Sequence, residues 1–317
     1  MNRLRIRAGL FLIALALASC AAPKPANTSP AKPRVALVLK TLNSPFFIEM
    51  QKGAVASAAS LGIDLVVQAA EREVDSERQM QIVENLIQTG IKVLLITPSG
   101  SREIVAALGK ANATGIPIVV IDDRIDAVVA KAAGVQTASY VGSDNVEGGR
   151  VAGRALIEMS GGKARLAFLE GIPGHETGDS RLRGFREAIK SAPGIKTVAS
   201  QTANWERDQG FTVFQNMLQA HPDIDSVFAC NDIMALGAIE AIAAAGRTGR
   251  IRVIGFDAVD DARKAIDEGT MAASVAQFPA DMGRIAVESA SKLIKGQPIE
   301  KEQLVRIGLV RKTGAAK

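Results

Sequence analysis

Short runs of aliphatic, mostly β-branched residues recur along this chain, and a segment with helical periodicity follows most of them. Each run has the length of a strand, and strands that alternate with amphipathic helices form parallel sheets through right-handed crossovers. The pattern therefore predicts an α/β fold built on parallel sheets. Six of the runs lie at residues 35–38, 93–96, 118–121, 227–229, 253–256 and 273–276.

The number of predicted strands indicates more than one sheet. Roughly ten strands are expected, which is more than one small doubly wound domain needs. The length of 317 residues also exceeds the usual size of a single domain. We therefore predict two doubly wound parallel-sheet lobes.

Polar side chains follow each of the six runs. In open α/β sheets the ligand crevice lies outside the carboxyl ends of the strands, so these side chains are expected to face a common ligand. Their hydroxyl, amide and carboxylate groups suit a small polyhydroxylated molecule. The residues are Asn43, Ser44, Thr97, Asp122, Asp123, Asn231, Asp257 and Gln277.

Several of these residues also have a simpler structural explanation. Asn231 and Asp257 each precede a predicted helix and could be N-caps. Asp122 and Asp123 could form a solvated turn, and Gln277 could be an ordinary amide at the end of a strand. We favour the ligand interpretation, because so many strands would otherwise end on polar residues at the same sheet edge by chance.

Three aromatic residues stand at predicted helix starts in a chain with only 4% aromatic residues. Phe46 and Phe47 begin one helix, and Trp205, the only tryptophan, begins another. Sugars have C–H faces that pack against aromatic rings. The three rings are therefore candidates for contact with a ligand; the alternative is that one of the two adjacent phenylalanines points into the core, so that only the other faces the ligand.

The predicted helix from Ser76 has the signature of a capping box, with Gln79 three residues later. Ile82, Val83, Leu86 and Ile87 then form one apolar face, and Gly90 is expected to end the helix. We expect the side chains of Ser76 and Gln79 to satisfy backbone N–H groups at the start of this helix.

The N-terminal segment has the features of a secretory signal. Arg3, Arg5 and Arg7 precede an uncharged stretch at residues 8–18. At ~1.5 Å per residue this stretch is too short to span a hydrocarbon core of ~30 Å. It is therefore expected to direct export and to be removed.

Two cleavage sites are compatible with this signal. Residues 16–18 fit an ordinary small-residue site, whereas residues 17–20 resemble the lipobox of bacterial lipoproteins, in which Cys20 would be lipidated. We favour the lipoprotein. The signal peptide then covers residues 1–19, and residues 20–33 form a lipid-anchored, proline-rich tether.

The sequence has no feature of nucleic-acid binding or of catalysis. Lys and Arg number 38 against 33 Asp and Glu, and removing the three arginines of the signal leaves 35 against 33. No basic stripe, dinucleotide fingerprint, Walker loop, metal cluster or nucleophile elbow is recognised. The glycine-rich residues 148–153 have the wrong spacing and indicate close helix packing. We expect no nucleic-acid partner, catalytic residue, cofactor or metal, and we place Cys230 in the core.

Four passages of the chain together carry a family resemblance: TLNSPFF at 41–47, GSDNVEGG at 142–149, NDIMALG at 231–237 and GFD at 255–257. They resemble the sugar-binding proteins of bacterial ATP-binding-cassette (ABC) transporters, which have the type I periplasmic-binding-protein fold. The likeness is closest to the ribose-binding subfamily and extends from residue 33 to residue 312.

The resemblance implies which residues bind the ligand. Aromatic residues are expected to stack on the sugar, and polar residues to bind its hydroxyl groups. The first-lobe contacts are Ser44, Phe46, Phe47, Asp122 and Asp123; the second-lobe contacts are Asp179, Arg181, Trp205, Asn231 and Asp257; Gln277 lies at the hinge.

The chain departs from the ribose receptors at several of these positions. Ser44 and Thr97 stand where those receptors have asparagines, and Asp179 stands where they have an arginine. The pair Asp122 and Asp123 replaces an Asp–Arg pair and is similar to arabinose receptors. Simple transfer of ribose specificity is therefore not expected.

A second group of residues is similar to galactose and glucose receptors. His175 and Arg181 match their pattern, although Thr177 stands where they have an aspartate, and His175 by itself is expected in a surface loop. We predict a small neutral sugar as ligand: a pentose, a hexose or a sugar alcohol. The acidic residues disfavour phosphorylated or acidic ligands, because desolvated like charges repel.

The resemblance also implies two lobes joined by three hinge crossings, which close over the ligand. We place the crossings near residues 143–144, 277 and 306–307. The first lobe is expected to comprise residues 34–143 plus 278–306, and the second lobe residues 144–277 plus 307–317.

The predicted function is that of the substrate-binding protein of an ABC importer. It would be an exported monomer in the periplasm or cell envelope that delivers its sugar to a permease in the inner membrane. The alternatives are a sugar-sensing receptor subunit for chemotaxis or a sensor kinase, a sugar-modifying enzyme, and a repressor. A repressor would need a helix-turn-helix where the signal stands.

Overall fold

The computed structural model describes residues 31–312, which begin with strands and helices in alternation. The first part of the chain builds one parallel sheet. Its elements are β1 (Arg34–Leu39), α1 (Pro45–Leu61), β2 (Asp64–Ala69), α2 (Ser76–Ile87), β3 (Val93–Ile96), α3 (Val105–Ala113), β4 (Ile118–Ile121), α4 (Ala127–Ala132) and β5 (Ser139–Ser143).

The next part repeats the alternation and builds a second sheet. Its elements are α5 (Asn145–Ser160), β6 (Lys163–Glu170), α6 (Glu176–Ile189), β7 (Gly194–Thr202), α7 (Arg207–Ala220), β8 (Ser226–Ala229), α8 (Asp232–Ala244), β9 (Arg252–Asp257), α9 (Asp260–Glu268) and β10 (Ala273–Ala276). The chain then continues through α10 (Pro279–Ile294), β11 (Glu302–Val305) and β12 (Gly308–Arg311).

The two sheets have the same strand order. The first runs β2-β1-β3-β4-β5-β11, and the second runs β7-β6-β8-β9-β10-β12. All pairs are parallel except β10 with β12. This is a doubly wound order, in which the switch point lies between β1 and β3 in the first sheet and between β6 and β8 in the second. The predicted α/β fold of two doubly wound lobes is confirmed, and residues 31–312 contain twelve strands where roughly ten were expected.

The chain passes between the two sheets three times. It crosses from β5 to α5, from β10 to α10, and from β11 to β12. Helix α10 returns to the first lobe, where it packs so tightly on α1 that a Cβ on Gly283 would lie 2.1 Å from the carbonyl oxygen of Met50. The three crossings implied by the resemblance are therefore present.

The central strands are buried on both faces because helices cover each side of both sheets, whereas the edge strands β2, β7, β11 and β12 are largely half-buried or exposed. β3, β4, β8 and β10 are buried at every residue. Strands buried on both faces appear in the sequence as continuous apolar runs, so these strands could be predicted from the sequence. The cores on the two faces of each sheet fix the positions of the strand ends that face the site.

The glycine-rich residues 148–153 lie on α5 and allow it to pack against α6. A Cβ on Gly149 would lie 2.0 Å from the carbonyl oxygen of Arg181, and one on Gly184 would lie 1.9 Å from that of Val146. The predicted close helix packing is confirmed. It matters for the site because α6 carries Arg181.

The predicted capping box at Ser76 and Gln79 is wrong. The N-cap residue of α2 is Asp75, and no side chain caps it. The Gln79 amide is buried and bonds instead to the carbonyl oxygens of Leu39 and Thr97, while its oxygen accepts the N–H of Ser99. The reason is geometric: the ends of β1 and β3 present unpaired backbone groups to this face of α2, and an amide can satisfy donors and acceptors together.

Within the described part of the chain, no helix is both long and apolar enough to cross a membrane.

Candidate ligand-binding site between the lobes

The carboxyl ends of the two sheets face each other across one cavity. The lining side chains approach one another closely and leave only about 30 Å³ of solvent-accessible space between them, well below the roughly 300–1,000 Å³ usual for ligand pockets. Every residue that lines it follows or ends a strand at the carboxyl edge of its sheet. The lining residues are Lys40, Ser44, Phe46, Phe47, Glu73 and Asp122 from the first lobe and Thr177, Arg181, Trp205, Asn231 and Asp257 from the second.

Asp122 directs a carboxylate into the cavity from the end of β4. Its backbone has φ +64°, a conformation that aspartate tolerates better than most residues. The turn is held because the N–H of Asp122 donates to Val141 and the Tyr140 hydroxyl donates to the Asp122 carbonyl oxygen at 2.7 Å. Asp122 Oδ1 is buried and has no hydrogen-bond partner among residues 31–312. This oxygen is therefore available to a ligand donor.

Lys40 and two carboxylates form a buried charged group in the first lobe. Lys40 Nζ lies 2.9 Å from Asp123 Oδ2 and 3.7 Å from Glu73 Oε2. Burial opposes the charge of the lysine, but the two carboxylates outweigh burial and raise the pKa of its ammonium. Burial also works to raise the pKa of Asp123, yet Lys40 and the neighbouring donors lower it below the usual value. Lys40 and Asp123 are thus an ion pair at neutral pH.

Arg181 is the corresponding cation of the second lobe. Its Nε donates to Asn145 Oδ1 at 2.9 Å, and its Nη1 donates to the Cys230 carbonyl oxygen at 2.7 Å. Nη1 also lies 3.6 Å from Asp257 Oδ1, and the guanidinium stacks 3.9 Å from the centre of the Phe256 ring. The side chain is held on all sides, so it presents a fixed positive group to the cavity.

Asp257 ends β9 in a turn whose backbone is strained. Its φ is +111° and that of Ala258 is +53°, values that non-glycine residues rarely adopt. Gln277 Nε2 donates to Asp257 Oδ1 at 2.8 Å and so fixes the carboxylate from the hinge side. The N-cap of α9 is Val259, so the N-cap explanation is wrong for Asp257.

Asn231 has two roles. Its Oδ1 accepts the N–H of Met234 at 2.9 Å, so it is the N-cap of α8. Its Nδ2 donates to the Trp205 carbonyl oxygen at 3.3 Å, and the side chain lines the cavity. For this residue the structural and the ligand interpretations are compatible, because the cap uses only the amide oxygen.

Aromatic rings enter the cavity from both lobes. Phe46 and Phe47 contact each other edge to face with ring centroids 5.3 Å apart, and both line the cavity while packing into the core. The alternative in which only one of the two rings faces the cavity does not hold, because each ring both lines the cavity and packs in the core. Trp205 faces them from a backbone with φ +67°, and its Nε1 has no partner among the described residues. Gly171 leaves room for the indole, since a Cβ there would lie 2.0 Å from Trp205 Cζ2.

Three carboxyl groups of the cavity titrate near neutral pH. Burial raises the pKa of Asp122 to about 6, against the opposing charges of Lys40 and Arg181. Burial likewise raises the pKa of Glu73 to about 7, opposed by Lys40, and that of Asp257 to about 7, opposed by Arg181. Lys40 and Arg181 keep the pKa values of these three carboxyl groups from rising further. The cavity therefore holds acidic groups that bind hydroxyl donors well.

Eight of the eleven predicted ligand-binding residues line the cavity, and Asp179 does not. Its side chain is exposed and borders a separate groove with Glu170 and Arg183. Thr177 and Arg181 lie four positions apart on the face of α6 that meets the cavity, whereas Asp179 falls between them on the opposite face. The prediction for Asp179 is corrected on this ground.

Asp123 and Gln277 lie next to the cavity rather than in its wall. Asp123 is occupied by Lys40 and by the backbone N–H of Thr177, which donates to Oδ1 at 3.2 Å. Gln277 supports Asp257 and faces a groove at the hinge. Both were predicted as direct ligand contacts, and the structure gives them supporting positions.

His175 is buried between the lobes, contrary to the expected surface loop. Its Nδ1 lies 3.6 Å from Asp123 Oδ2. Burial and the nearby Lys40 nevertheless lower the pKa of His175 to about 4. The imidazole is therefore neutral at pH 7, and its contact with Asp123 is not an ion pair.

Lys40, Glu73 and Thr177 line the cavity but were not predicted as ligand contacts. Lys40 directly follows β1, so the rule of polar residues at strand ends could have found it. Glu73 lies in a loop after β2 with no comparable signal.

The predicted signal peptide, Cys20 and all but the last residues of the tether lie outside the described residues. Among residues 31–312, no group of three or more potential ligands is arranged to hold a metal ion.

Comparison with known proteins identifies the family. The model of the periplasmic binding protein domain matches residues 35–298. The chain belongs to this family. It is similar to the ribose import binding protein RbsB of Escherichia coli, with 38% identity over 282 residues that cover 89% of this chain and 92% of the relative. It is 37% identical over 270 residues to the D-allose-binding periplasmic protein of the same species, covering 84% and 87% of the two chains.

Solved structures show the same fold with bound ligands. An ABC-transporter solute-binding protein from Actinobacillus succinogenes with bound D-allose matches with a TM-score of 0.83 and 40% identity, over 89% of this chain and 98% of that one. The myo-inositol-binding protein of Caulobacter matches with a TM-score of 0.82 and 31% identity, over 88% and 93%. The predicted type I fold and membership of the ribose-binding-like group are confirmed, and these relatives are binding proteins rather than enzymes.

Proposed function

We propose that this chain is the solute-binding protein of an ABC importer and binds a neutral monosaccharide in the cavity between its lobes. A pentose, a hexose or a sugar alcohol belongs to this class. The observation that carries the proposal is the lining itself: aromatic rings from both lobes, together with acidic and cationic groups that are fixed by other residues.

The unpartnered atoms of the cavity match a polyol. Asp122 Oδ1 accepts hydrogen bonds, Trp205 Nε1 donates them, and Thr177 Oγ1 does both, and none has a partner among the described residues. Buried polar groups without partners are costly, so a ligand that supplies hydroxyl groups would recover that free energy. Flat C–H faces of the same ligand would pack against Phe47 and Trp205.

The charges of the cavity favour a neutral ligand over an anionic one. Lys40 is paired with Asp123, and Arg181 is bonded to Asn145 and to the Cys230 carbonyl oxygen. Lys40 is thus already neutralised by a carboxylate, and Arg181 faces the carboxyl group of Asp257, whose Oδ1 lies 3.6 Å from Nη1. An anionic ligand would instead meet Asp122 and the other carboxyl groups at close range.

The names of the relatives support the sugar class. They include binding proteins for ribose and D-allose and structures with bound D-allose and myo-inositol. A D-apiose import binding protein of Paraburkholderia graminis is 33% identical over 309 residues. Because these ligands differ, we propose the class and leave the choice among its members to experiment.

We propose that ligand binding stabilises closure of the two lobes. The first lobe comprises residues 34–143 plus 278–306, and the second residues 144–277 plus 307–317. A ligand that contacts both lobes only in the closed form shifts the population towards closure, and the closed form is then recognised by the permease. The proposed direct contacts are Ser44, Phe46, Phe47, Asp122, Arg181, Trp205, Asn231 and Asp257, joined by Lys40, Glu73 and Thr177.

We also propose that the protein is an exported monomer anchored in the cell envelope. Residues 1–19 would be the signal peptide, and Cys20 would carry the lipid at the start of the tether. Blocking lipoprotein signal peptidase should leave an unprocessed precursor. Normal maturation under that block would favour cleavage after Ala18.

Calorimetry with the purified protein tests the ligand class. The panel would contain D-ribose, D-allose, D-arabinose, D-fucose and myo-inositol, with ribose 5-phosphate and a uronic acid as anionic comparisons. At least one neutral member should bind with micromolar or tighter affinity, and both anions should bind far more weakly. Absence of binding by every neutral member, or preference for an anion, would reject the proposal.

A further inference from the structure

Asp123 connects the two lobes without contacting the cavity. In the first lobe, its Oδ2 accepts a hydrogen bond from Lys40 Nζ at 2.9 Å. Its Oδ1 accepts the backbone N–H of Thr177, in the second lobe, at 3.2 Å. The carboxylate is 1% exposed and does not line the cavity. Its position therefore differs from that of Asp122, one residue earlier, which points into the cavity.

The Asp123 carboxylate lies at the start of helix α6, which has no side-chain cap from its own segment. Helix α6 begins at Glu176, its N-cap residue is His175, and no side chain of its own segment caps it. The N–H groups in the first turn of a helix need acceptors, and a carboxylate there also interacts favourably with the helix dipole. In this protein the acceptor comes from the other lobe. We call the bond between the Asp123 carboxylate and the Thr177 N–H the interlobe cap.

The charge of Asp123 is fixed in the first lobe before any ligand arrives. Lys40 is 3% exposed and is held by Asp123 on one side and Glu73 on the other, and all three residues belong to the first lobe. The second lobe contributes the Thr177 N–H and the neutral imidazole of His175. Closure therefore brings a preformed carboxylate to a preformed helix start, and no part of a sugar is required for this contact.

We propose that Asp123 is a positioning residue that stabilises the closed arrangement of the lobes through the interlobe cap, and that it does not bind the sugar. The unliganded protein then populates the closed arrangement measurably. The effect of the interlobe cap on sugar affinity rests on the proposed function. The cap should strengthen the binding of every sugar by the same factor, because the apparent affinity scales with the fraction of the protein that is in the closed, binding-competent arrangement.

Distance measurement between spin labels on the two lobes tests the cap without any ligand. Arg72 and Asp208 are exposed residues, one in each lobe, that line a groove to which both lobes contribute. Both would be replaced by cysteine and labelled in a Cys20→Ser chain, in which Cys230 is buried. Pulsed electron resonance then gives the closed and open populations directly.

Two variants remove the cap from opposite sides. Asp123→Ala removes the acceptor, and Thr177→Pro removes the donor N–H in the first turn of α6, where proline is best tolerated in a helix. Thr177→Ala is the matched control, because it keeps the N–H. Without sugar, each cap variant should lower the closed-to-open ratio about tenfold or more, as expected for a hydrogen bond to a charged group. Thr177→Ala should keep the ratio of the parent chain.

The outcomes separate this proposal from the proposed function. A parent chain with no closed population, or a Thr177→Pro variant that folds and closes as the parent does, would overturn the interlobe cap. Thr177→Pro leaves the Lys40–Asp123 pair intact, so it remains informative if Asp123→Ala does not fold. With sugars, Asp123→Ala should weaken all members of the panel by one factor and preserve their ranking. Thr177→Pro should do the same relative to Thr177→Ala, because both of these variants lack the Thr177 hydroxyl. A parent chain that binds no sugar rejects the proposed function and leaves the distance result unaffected.

Discussion

Ser274 donates its hydroxyl to Asp232 Oδ1 at 2.7 Å, which joins β10 to the first turn of α8. The same hydroxyl oxygen accepts the N–H of Ala258, and Asp232 Oδ2 accepts the N–H of Val259. These bonds hold the strained turn that follows Asp257. The position of a cavity carboxylate thus depends on two buried residues that do not line the cavity.

Ser274→Ala should weaken sugar binding while the protein remains folded. The turn after Asp257 would lose one of its bonds, and Asp257 would be less well fixed against the ligand. We expect about a tenfold loss of affinity by calorimetry, the size of one neutral hydrogen bond. Ser226→Ala, a buried serine of β8 in the same sheet, is the control and should bind as the parent does; equal losses in both would argue against the positioning role.

Asp122→Asn should reduce sugar affinity by roughly 10- to 100-fold, because a hydrogen bond to a charged acceptor is worth about 1.5–3 kcal/mol. Asparagine tolerates the positive φ of this position, so the turn should be preserved. The matched control is Asp179→Asn, the same change at an exposed residue outside the cavity. Calorimetry with the best ligand of the panel provides the measurement, and near-parental affinity of Asp122→Asn would contradict the assignment.

The unliganded protein should become less stable as pH rises towards 7 and slightly above. Burial raises the pKa of Glu73 from its ordinary value to about 7. Between those values the unfolded chain is ionised at this residue and the folded protein holds a proton. The free energy of unfolding therefore falls with rising pH, by at most about 1.4 kcal/mol per pH unit for one group.

Urea unfolding at pH 5 and pH 7.5 measures this dependence. Glu73→Gln should reduce the difference between the two values, because the amide does not titrate. Glu77→Gln, at an exposed residue of α2, should leave the difference unchanged. A Glu73→Gln variant with the full parental pH dependence would show that burial does not raise the pKa of Glu73.

Gly171→Ala should displace Trp205 from the cavity. The added Cβ would lie 2.0 Å from Cζ2 of the indole, so the ring must shift from its present position. Because Trp205 is the only tryptophan, its fluorescence should change on sugar binding in the parent protein, and this response should be lost in the variant. Gly308→Ala has open space for its Cβ and should respond normally.

The sequence predicted the fold well because each lobe repeats a strongly patterned unit. Strands buried on both faces leave continuous apolar runs, and helices leave amphipathic ones, so the elements could be recognised one by one. The rule that ligands bind at the carboxyl ends of parallel strands then located Asp122, Asn231 and Asp257. Gln79 could not be assigned correctly, because its partners lie on β1 and β3 and are distant in the sequence.

The sequence alone determined the two-lobed α/β fold and the edge of each sheet at which the site lies, since these follow from local periodicity. Only the tertiary structure decided which polar side chains enter the cavity. Asp122 and Asp123 are neighbours of the same chemical type, yet one faces the cavity and the other meets Lys40 and the start of α6. Backbone conformation at the turn and the approach of the second lobe separate them, and neither is encoded in the pattern of residues around them.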